Sequence, residues 1–209
     1  MATVLGLYNG ALRKLGEPRL ASVSDETKGR RALDSAYAEI VKWCLEQALW
    51  NFAMRTVEAE ADPSATTSFG YAYVFAKPDD WIRTSALTTD EYGRCPLLDY
   101  DDVTDYWLAD TDPIYVRYVS SHADYGMDLG RWPESFNQFV QCALAHEVCE
   151  DITGSDSRKE NLKKDMIRAK RDAANKDAMN QPATRFPPSG RLVGSRGESF
   201  GREGKYRAG

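Results

Sequence analysis

The sequence predicts a mainly α (α+β) fold: an antiparallel bundle of about four helices, a small antiparallel β domain inserted between helices 2 and 3, and an extended C-terminal arm. Apolar residues recur with a helical period before residue 54 and again after residue 131. Short segments rich in β-branched and aromatic residues lie between these two parts. The chain therefore divides into bundle residues 1–53, β residues 54–122, bundle residues 131–179 and arm residues 180–209.

One-sided apolar patterns predict the first two helices. Helix 1 is expected over residues 3–15, with Gly16 as a left-handed C-terminal residue. The short connection that follows predicts that helices 1 and 2 pair as a helical hairpin. Helix 2 is expected over residues 24–53 with Ser24 as its N-cap, and we expect the rest of the chain to pack around it. Its apolar face consists of Leu33, Ala36, Tyr37, Ile40, Val41, Cys44, Leu45, Ala48, Leu49 and Phe52.

The β domain is predicted from five short segments separated by Pro, Gly, Asp and Ser. The predicted strands are residues 54–61, 71–75, 81–87, 97–100 and 114–120. Parallel strands would need longer crossovers than this length allows, so we expect one small antiparallel sheet or a barrel-like unit.

A helical period returns at Pro133, a residue type suited to a first helical position. Helix 3 is expected to end at Gly154, with an apolar stripe of Phe136, Phe139, Val140, Ala143, Leu144, Val148 and Ile152. Helix 4 is expected from residue 155 or 156 to residue 178, with a thin stripe of Leu162, Met166, Ala169 and Ala173. Its predicted intrahelical ion pairs are Glu160–Lys164, Asp165–Arg168 and Asp172–Lys176, so most of this helix should face solvent.

Composition limits the class of protein. The 209 residues are 42% hydrophobic and 11% aromatic, which is enough to fill a core. No apolar run approaches the roughly 20 residues of a membrane helix, and the N-terminus lacks the pattern of a signal peptide. We expect a soluble protein that is made in the cytoplasm and has no membrane partner. The four cysteines show no close spacing and are expected to be reduced: Cys44, Cys95, Cys142 and Cys149.

Neither a catalytic nor a metal-binding motif is complete. His146 and Glu147 begin a zinc-protease pattern, but Glu150 stands where the second histidine is required. Cys142 and Cys149 lie about 10 Å apart on a helix, too far for one tetrahedral zinc. The acidic cluster near residue 100 lacks the glycine and final glutamate of a calcium loop. We expect no enzyme activity and no cofactor.

The last 30 residues have a different composition from the rest. Residues 181–209 contain six basic and two acidic residues, a net charge of +4, so residues 1–180 carry −9 of the total of −5. Gly and Pro are frequent and apolar residues occur singly, which is typical of a segment that cannot fold alone. We expect an arm that becomes ordered only against a neighbouring protein surface. Its predicted partner-binding residues are Arg185, Phe186, Arg191, Leu192, Arg196, Phe200, Arg202 and Tyr206.

Three blocks of sequence resemble the head-to-tail adaptors of tailed bacteriophages, the tail tubular protein A family. They are residues 9–18 (NGALRKLGEP), 50–53 (WNFA) and 71–81 (YAYVFAKPDDW), in the order of the family, and the similarity extends over residues 4–178. The resemblance implies a structural virion protein at the head-tail junction. It implies a dodecameric ring, bound beneath the portal and carrying the tail nozzle or tube, through which DNA only passes.

Two other functions stay open from the residues alone. One is a virion-associated peptidoglycan hydrolase, since no pair of carboxylates can be singled out among 32 acidic residues. The other is a DNA-contacting tail module, because the arm alternates aromatic and basic residues. The net charge of −9 on residues 1–180 disfavours DNA as the primary ligand.

Overall fold

The computed structural model describes residues 2–65 and 70–180. Four α-helices lie in this part of the chain: α1 Val4–Leu15, α2 Lys28–Glu46, α3 Glu134–Thr153 and α4 Asp156–Met179. Six strands lie between α2 and α3: β1 Met54–Ala59, β2 Tyr73–Ala76, β3 Trp81–Thr88, β4 Asp101–Asp102, β5 Tyr106–Ala109 and β6 Ile114–Ser120. The predicted α+β class is confirmed. We call α1–α4 the bundle and β1–β6 the β unit.

Helix α3 is the centre of the bundle. It packs against each of the other three helices and has ten buried residues, compared with four on α2. Because its apolar residues occupy most of its circumference, α3 has the pattern of an enclosed helix. The Phe136 ring lies 4.9 Å from the rings of both Trp50 and Trp132. The prediction that the chain packs around helix 2 was therefore wrong, because α2 has only one buried side.

Helix α1 packs mainly on α3 and not, as predicted, on its hairpin neighbour α2. The contact between α1 and α2 depends on Tyr8, whose hydroxyl donates to Asp34 at 3.0 Å and whose ring lies 5.8 Å from that of Tyr37. The Thr3 side chain caps the N-terminus of α1. Gly16 ends the helix in the left-handed region at φ 74°, as the sequence predicted.

Helix α2 is shorter than predicted at both ends. Its N-cap is Thr27 and not Ser24, because the Asp25 carboxylate accepts backbone N–H bonds from Ala21 and Ser22 and so holds a turn before the helix. At the other end, the Trp50 indole N–H donates to the Cys44 carbonyl at 3.0 Å. The Cys44 carbonyl also accepts the Gln47 N–H at 3.3 Å, so two bonds close the last turn, and the chain continues through a short 3₁₀ helix into β1.

The β unit contains two three-stranded antiparallel sheets, where the sequence predicted one sheet or a barrel-like unit. Their orders are β1-β6-β3 and β2-β5-β4. Val116 of β6 lies opposite both Val57 and Leu87, and Phe75 of β2 lies opposite Trp107. The shared core of the two sheets consists of Phe75, Leu87, Trp107, Ala109, Ile114, Val116 and Tyr118.

One predicted strand was wrong, and strands β4 and β5 were missed. Residues 97–100 form no strand, and only an isolated bridge joins Thr88 to Pro96. Strand β5 was missed, although Trp107 and Ala109 are buried at alternate positions between two aspartates. This run of four residues is so short that the surrounding acidic residues obscure its alternation.

Helix α4 has one thin buried side, with Leu162 and Ala173 inside, as its pattern predicted. The three predicted intrahelical ion pairs are absent within 4.0 Å among the described residues. Instead, side chains of α4 reach other elements: Lys159 pairs with Glu150 at 2.6 Å, Arg158 donates to the Leu15 carbonyl, and Lys170 donates to Gln47 at 2.8 Å. These bonds attach α4 to its neighbours.

Candidate interaction surfaces

A cluster of polar side chains around Asp80 lies at the end of the first sheet that faces the bundle. Arg55 contacts the Asp80 carboxylate at 2.9 Å, the Tyr118 hydroxyl donates to it at 3.2 Å, and the Ser120 hydroxyl donates to the same carboxylate. Arg55 lies in β1, while Tyr118 and Ser120 lie in β6, so these bonds fix one end of the first sheet. We call these four residues the Asp80 cluster.

The end of the sheet that carries the Asp80 cluster inserts into the bundle. Met54, Ile82 and Val119, one from each strand, pack against the hydrophobic core of the helices. The apolar contact and the cluster therefore act at the same place. The apolar contact attaches this end of the sheet to the bundle, and the cluster holds together the strands that form it.

Electrostatics strengthen the Asp80 cluster. Burial alone would raise the pKa of Asp80, but hydrogen bonds from Ser120 and Arg55 and the charge of Arg55 outweigh it, so the pKa is below its ordinary value. Burial and the Asp80 charge raise the pKa of Tyr118, which remains a neutral donor at physiological pH. The Arg55 guanidinium also lies 5.7 Å from the centre of the Tyr125 ring.

Lys77 lies in an aromatic cage. Its side chain is only 4% exposed, and its ammonium is 3.7 Å from the centre of the Trp81 ring and 5.7 Å from that of Trp107. The same ammonium donates to Asp102 and to the Val103 carbonyl. A desolvated ammonium needs such partners. Through its bonds to Asp102 and Val103, Lys77 connects the β4–β5 hairpin to the end of β2.

Two carboxylates of the acidic cluster near residue 100 have partners within the β unit. Asp102 pairs with Lys77, and Asp99 accepts a hydrogen bond from the Tyr71 hydroxyl at 3.1 Å. Among residues 2–65 and 70–180, no group of three or more His, Cys, Asp or Glu side chains has a metal-binding arrangement.

An open cleft lies between the bundle and the β unit, and we call it the interlobe cleft. Its volume is about 670 Å³. Lys170 and Arg83 face it together with Glu46 and Asp102, and Trp81 contributes its half-buried ring. Since the charges are mixed, this cleft suits a polar protein surface better than a small ligand of one charge.

A second cleft of about 530 Å³ lies on the outer face of the sheet β1-β6-β3, and we call it the sheet cleft. Thr56, Thr88, Tyr115 and Arg117 form its floor, and Tyr92, which is 72% exposed, stands at its edge. Exposed Tyr and Arg are the residue types enriched in protein interfaces.

A smaller apolar groove lies on the bundle, and we call it the bundle groove. It measures about 210 Å³ and is lined by Ile40, Trp43, Ala143, His146, Glu147 and Met166. Trp43 is 37% exposed, and its ring lies 6.0 Å from that of Phe139. Burial and the nearby Lys159 lower the pKa of His146, so this imidazole is neutral at pH 7.

Of the residues that the zinc-like pattern singled out, Cys142 and Cys149 are buried thiols. Burial raises the pKa of Cys142, and the Cys149 sulfur lies 3.4 Å from the Thr153 hydroxyl. His146 faces the bundle groove. Cys44 is also buried, whereas Cys95 is exposed.

The predicted partner-binding residues of the arm lie outside the described residues. They are Arg185, Phe186, Arg191, Leu192, Arg196, Phe200, Arg202 and Tyr206. The structure therefore brings none of them to a described surface, and their role stays a prediction.

Sequence reasoning did not find the three clefts or the Lys77 cage. One signal was present, since Trp43 falls outside the apolar face assigned to helix 2. A large aromatic residue away from the core side of a helix indicates an interaction surface. Lys77, between apolar strand residues and Pro78, gave a weaker signal of the same kind.

Comparison with known proteins identifies no relative, since neither a family model nor a curated protein matches the chain. Within residues 2–65 and 70–180, every helix is too short or too polar to span a bilayer.

Proposed function

We propose that this chain is a structural head-to-tail adaptor of a tailed bacteriophage, which forms a ring between the capsid portal and the tail nozzle or tube. The sequence resemblance over residues 4–178 supports this function. The structural observation that supports it best is the pair of different open clefts, one on the β unit and one beside it, on a body whose two parts are held together by the packing of Met54, Ile82 and Val119 against the bundle core.

A ring of identical subunits requires this kind of body. Each subunit must contact its neighbour through two different surfaces, because a contact between identical surfaces gives a dimer and stops. The angle between the two surfaces then sets the number of subunits, and a dodecamer needs a rotation of about 30° per subunit. A mobile joint between the bundle and the β unit would give rings of mixed size. The packing of Met54, Ile82 and Val119 against the bundle core opposes such motion.

In this proposal the protein acts through its surfaces without catalysis. Its partners are other copies of itself, the portal protein and the tail nozzle or tube protein, and DNA only passes through the ring. Its place is the virion, at the head-tail junction. The arm attaches the ring to the portal or to an adjacent subunit.

Particle imaging of the purified full-length chain, alone and mixed with its portal protein, tests this function. We expect closed rings of one size, or monomers that form rings on the portal. A chain that stays monomeric with the portal and with the nozzle protein contradicts the proposal. Release of soluble fragments from peptidoglycan, or retention on DNA that falls with salt, would favour one of the two alternative functions.

Two matched variants locate the ring surface. Arg117→Glu reverses a charge in the sheet cleft. It should reduce ring formation at least tenfold, because the reversed charge no longer complements the surface of the neighbouring subunit. Lys164→Glu makes the same charge change on the exposed side of α4, outside the three clefts, and should leave ring formation unchanged. Equal effects of the two variants would indicate that net charge, and not the sheet cleft, controls assembly.

Deletion of residues 183–209 tests the arm. The truncated chain should fold and remain soluble, since the described bundle and β unit do not include this segment. We expect it to lose stable attachment to the portal in co-sedimentation. Normal attachment would show that the arm does not hold the partner.

A further inference from the structure

The bundle groove has the size of a single side chain. Its volume of about 210 Å³ is below the roughly 300–1,000 Å³ of typical small-molecule pockets. Its walls come from three helices, through Ile40 and Trp43 of α2, Ala143 of α3 and Met166 of α4. Aromatic side chains pack well against both a Trp ring and a Met sulfur. The groove therefore suits one aromatic residue of a peptide segment.

Charge adds a second requirement. Glu147 lines the same groove, is exposed, and forms no salt bridge with any residue of the described part of the chain. His146 beside it is neutral at pH 7. A carboxylate at the edge of an apolar groove fits a segment in which an arginine lies close to the aromatic residue.

The chain itself contains such a segment beyond the described residues. Residues 181–209 carry a net charge of +4 and begin just after α4, the helix that supplies Met166. Two phenylalanines occur in this segment, at positions 186 and 200. Phe200 is followed two positions later by Arg202, and residues two apart point to the same side of an extended chain.

The length of chain between the end of α4 and each phenylalanine shows which of the two can return to the groove. Met166 and Asn180 are separated by 14 residues, which is about 21 Å along α4. The six residues from Asn180 to Phe186 span at most about 21 Å when fully extended, which leaves no length for the chain to reverse direction. The 20 residues to Phe200 span up to about 70 Å and can return to the groove easily.

We infer that in the free subunit the C-terminal segment binds the bundle groove of its own chain, with Phe200 between Trp43 and Met166 and Arg202 on Glu147. Tethering favours this site, since a linker of this length gives an effective concentration near the millimolar range. A partner that takes the segment must therefore compete with the groove. This inference does not depend on the proposed ring, because it concerns a contact within one chain.

Disulfide trapping in the full-length chain tests this contact. In a Cys95→Ser background, which removes the exposed thiol, Glu147→Cys is combined with Arg202→Cys and the protein is oxidised mildly. We expect a cross-link within one chain, identified by peptide mass, that forms at least about tenfold faster than in the control pair. The control combines Arg202→Cys with Glu134→Cys, an exposed position 13 residues earlier on the same helix α3. Equal rates for the two pairs, or cross-links only between chains, overturn the inference.

Quenching of Trp fluorescence by acrylamide gives an independent measurement. Phe200→Ala should increase quenching, because it uncovers Trp43, and the increase should vanish when Trp43→Phe is added. Phe186→Ala is the matched control and should leave quenching unchanged. The inference is wrong if Phe186→Ala and Phe200→Ala have equal effects, or if neither has any.

Discussion

The bundle and the β unit are stabilised in different ways. In the bundle, a continuous core of aromatic and aliphatic side chains extends from α1 to α4, and its centre is the group of rings around Phe136 and Phe139. The core of the β unit has seven buried residues among those described. Its sheets depend in addition on two polar groups with little exposure, the Asp80 cluster and the Lys77 cage.

This difference follows from size and from element type. Four helices with apolar sides can bury those sides against each other, so dispersion and the hydrophobic effect are sufficient. Short strands bury too little apolar area for independent stability. Polar contacts fix their register instead, since a charged hydrogen bond with little exposure is specific and costly to break. We therefore expect truncation of core side chains to cause the largest losses of stability in the bundle. In the β unit, removal of charged groups should also cause a clear loss.

The largest expected effect is in the bundle. Phe139→Ala removes a ring that is fully buried and lies near the rings of Trp43, Trp50 and Phe136. We expect a loss of about 3–5 kcal/mol in the free energy of unfolding, measured with urea. Leu98→Ala, at a side chain that is 86% exposed, is the control and should cost less than about 0.5 kcal/mol. Similar costs at both positions would mean that the core is not where the structure places it.

The second effect concerns the Asp80 cluster. Asp80→Asn removes the charge that Arg55 faces and weakens the acceptor of Tyr118 and Ser120, so we expect a loss of about 2–4 kcal/mol at pH 7. The neighbouring exposed residue gives a matched control, because Asp79→Asn should change stability by less than about 0.5 kcal/mol.

The pH dependence of the Asp80 effect has a definite sign. The pKa of Asp80 is lowered in the folded protein, so its contribution is present above the ordinary value of 3.8 and is lost as the pH falls through the folded value. The difference between wild type and Asp80→Asn should therefore narrow below about pH 4. A difference that is constant from pH 7 to pH 3 would show that the charge does not contribute.

The third effect is local to the β unit. Lys77→Met keeps an apolar stem between Trp81 and Trp107 but removes the ammonium that donates to Asp102. We expect a loss of about 1–3 kcal/mol, with faster amide hydrogen exchange in β4 and β5 than in α3. Lys164→Met on the exposed side of α4 should have no such effect. Uniformly faster exchange throughout the chain would show that the cage supports the whole molecule.

The sequence predicted the bundle better than the β unit, for a physical reason. A helix of 12 or more residues repeats its pattern several times, so α1, α3 and α4 were found with nearly correct ends. Strands β4 and β5, with two and four residues, do not repeat an alternation often enough to be seen. The sequence did not show that α1 packs on α3 and not on α2, because pairing among helices depends on which sides meet in three dimensions.

The candidate surfaces were less predictable still. The sheet cleft combines Thr56, Tyr115 and Arg117 with a loop residue, Tyr92, and only the register of β1, β6 and β3 brings them together. No spacing in the sequence contains that information. Trp43 alone could be noticed from the sequence, because it is an aromatic residue outside the apolar face assigned to its helix.

The smallest expected effect concerns Asp177, the one carboxylate that is buried in the described bundle, and it can be compared directly with the effect at Asp80 of the β unit. Asp177 of α4 is 7% exposed, accepts the Asn51 backbone N–H at 2.9 Å, and attaches the end of α4 to the start of the β unit. Burial raises its pKa, although the bond from Asn51 opposes the rise. Its favourable contribution is therefore present below the ordinary value of 3.8 and is lost as the pH rises through the folded value.

At pH 7 the charge on Asp177 should thus cost stability, whereas the charge on Asp80 adds it. Asp177→Asn resembles the protonated form, since it keeps an oxygen acceptor and has a donor. We expect the free energy of unfolding of Asp177→Asn to lie within about 1 kcal/mol of that of wild type. Relative to wild type, the variant should become more stable as the pH rises from 3 to 7. Asp177→Ala, which has no acceptor for Asn51, should cost about 1–2 kcal/mol at both pH values. If Asp177→Asn instead loses stability with rising pH, as Asp80→Asn should, then the bundle depends on a buried charge in the same way as the β unit does.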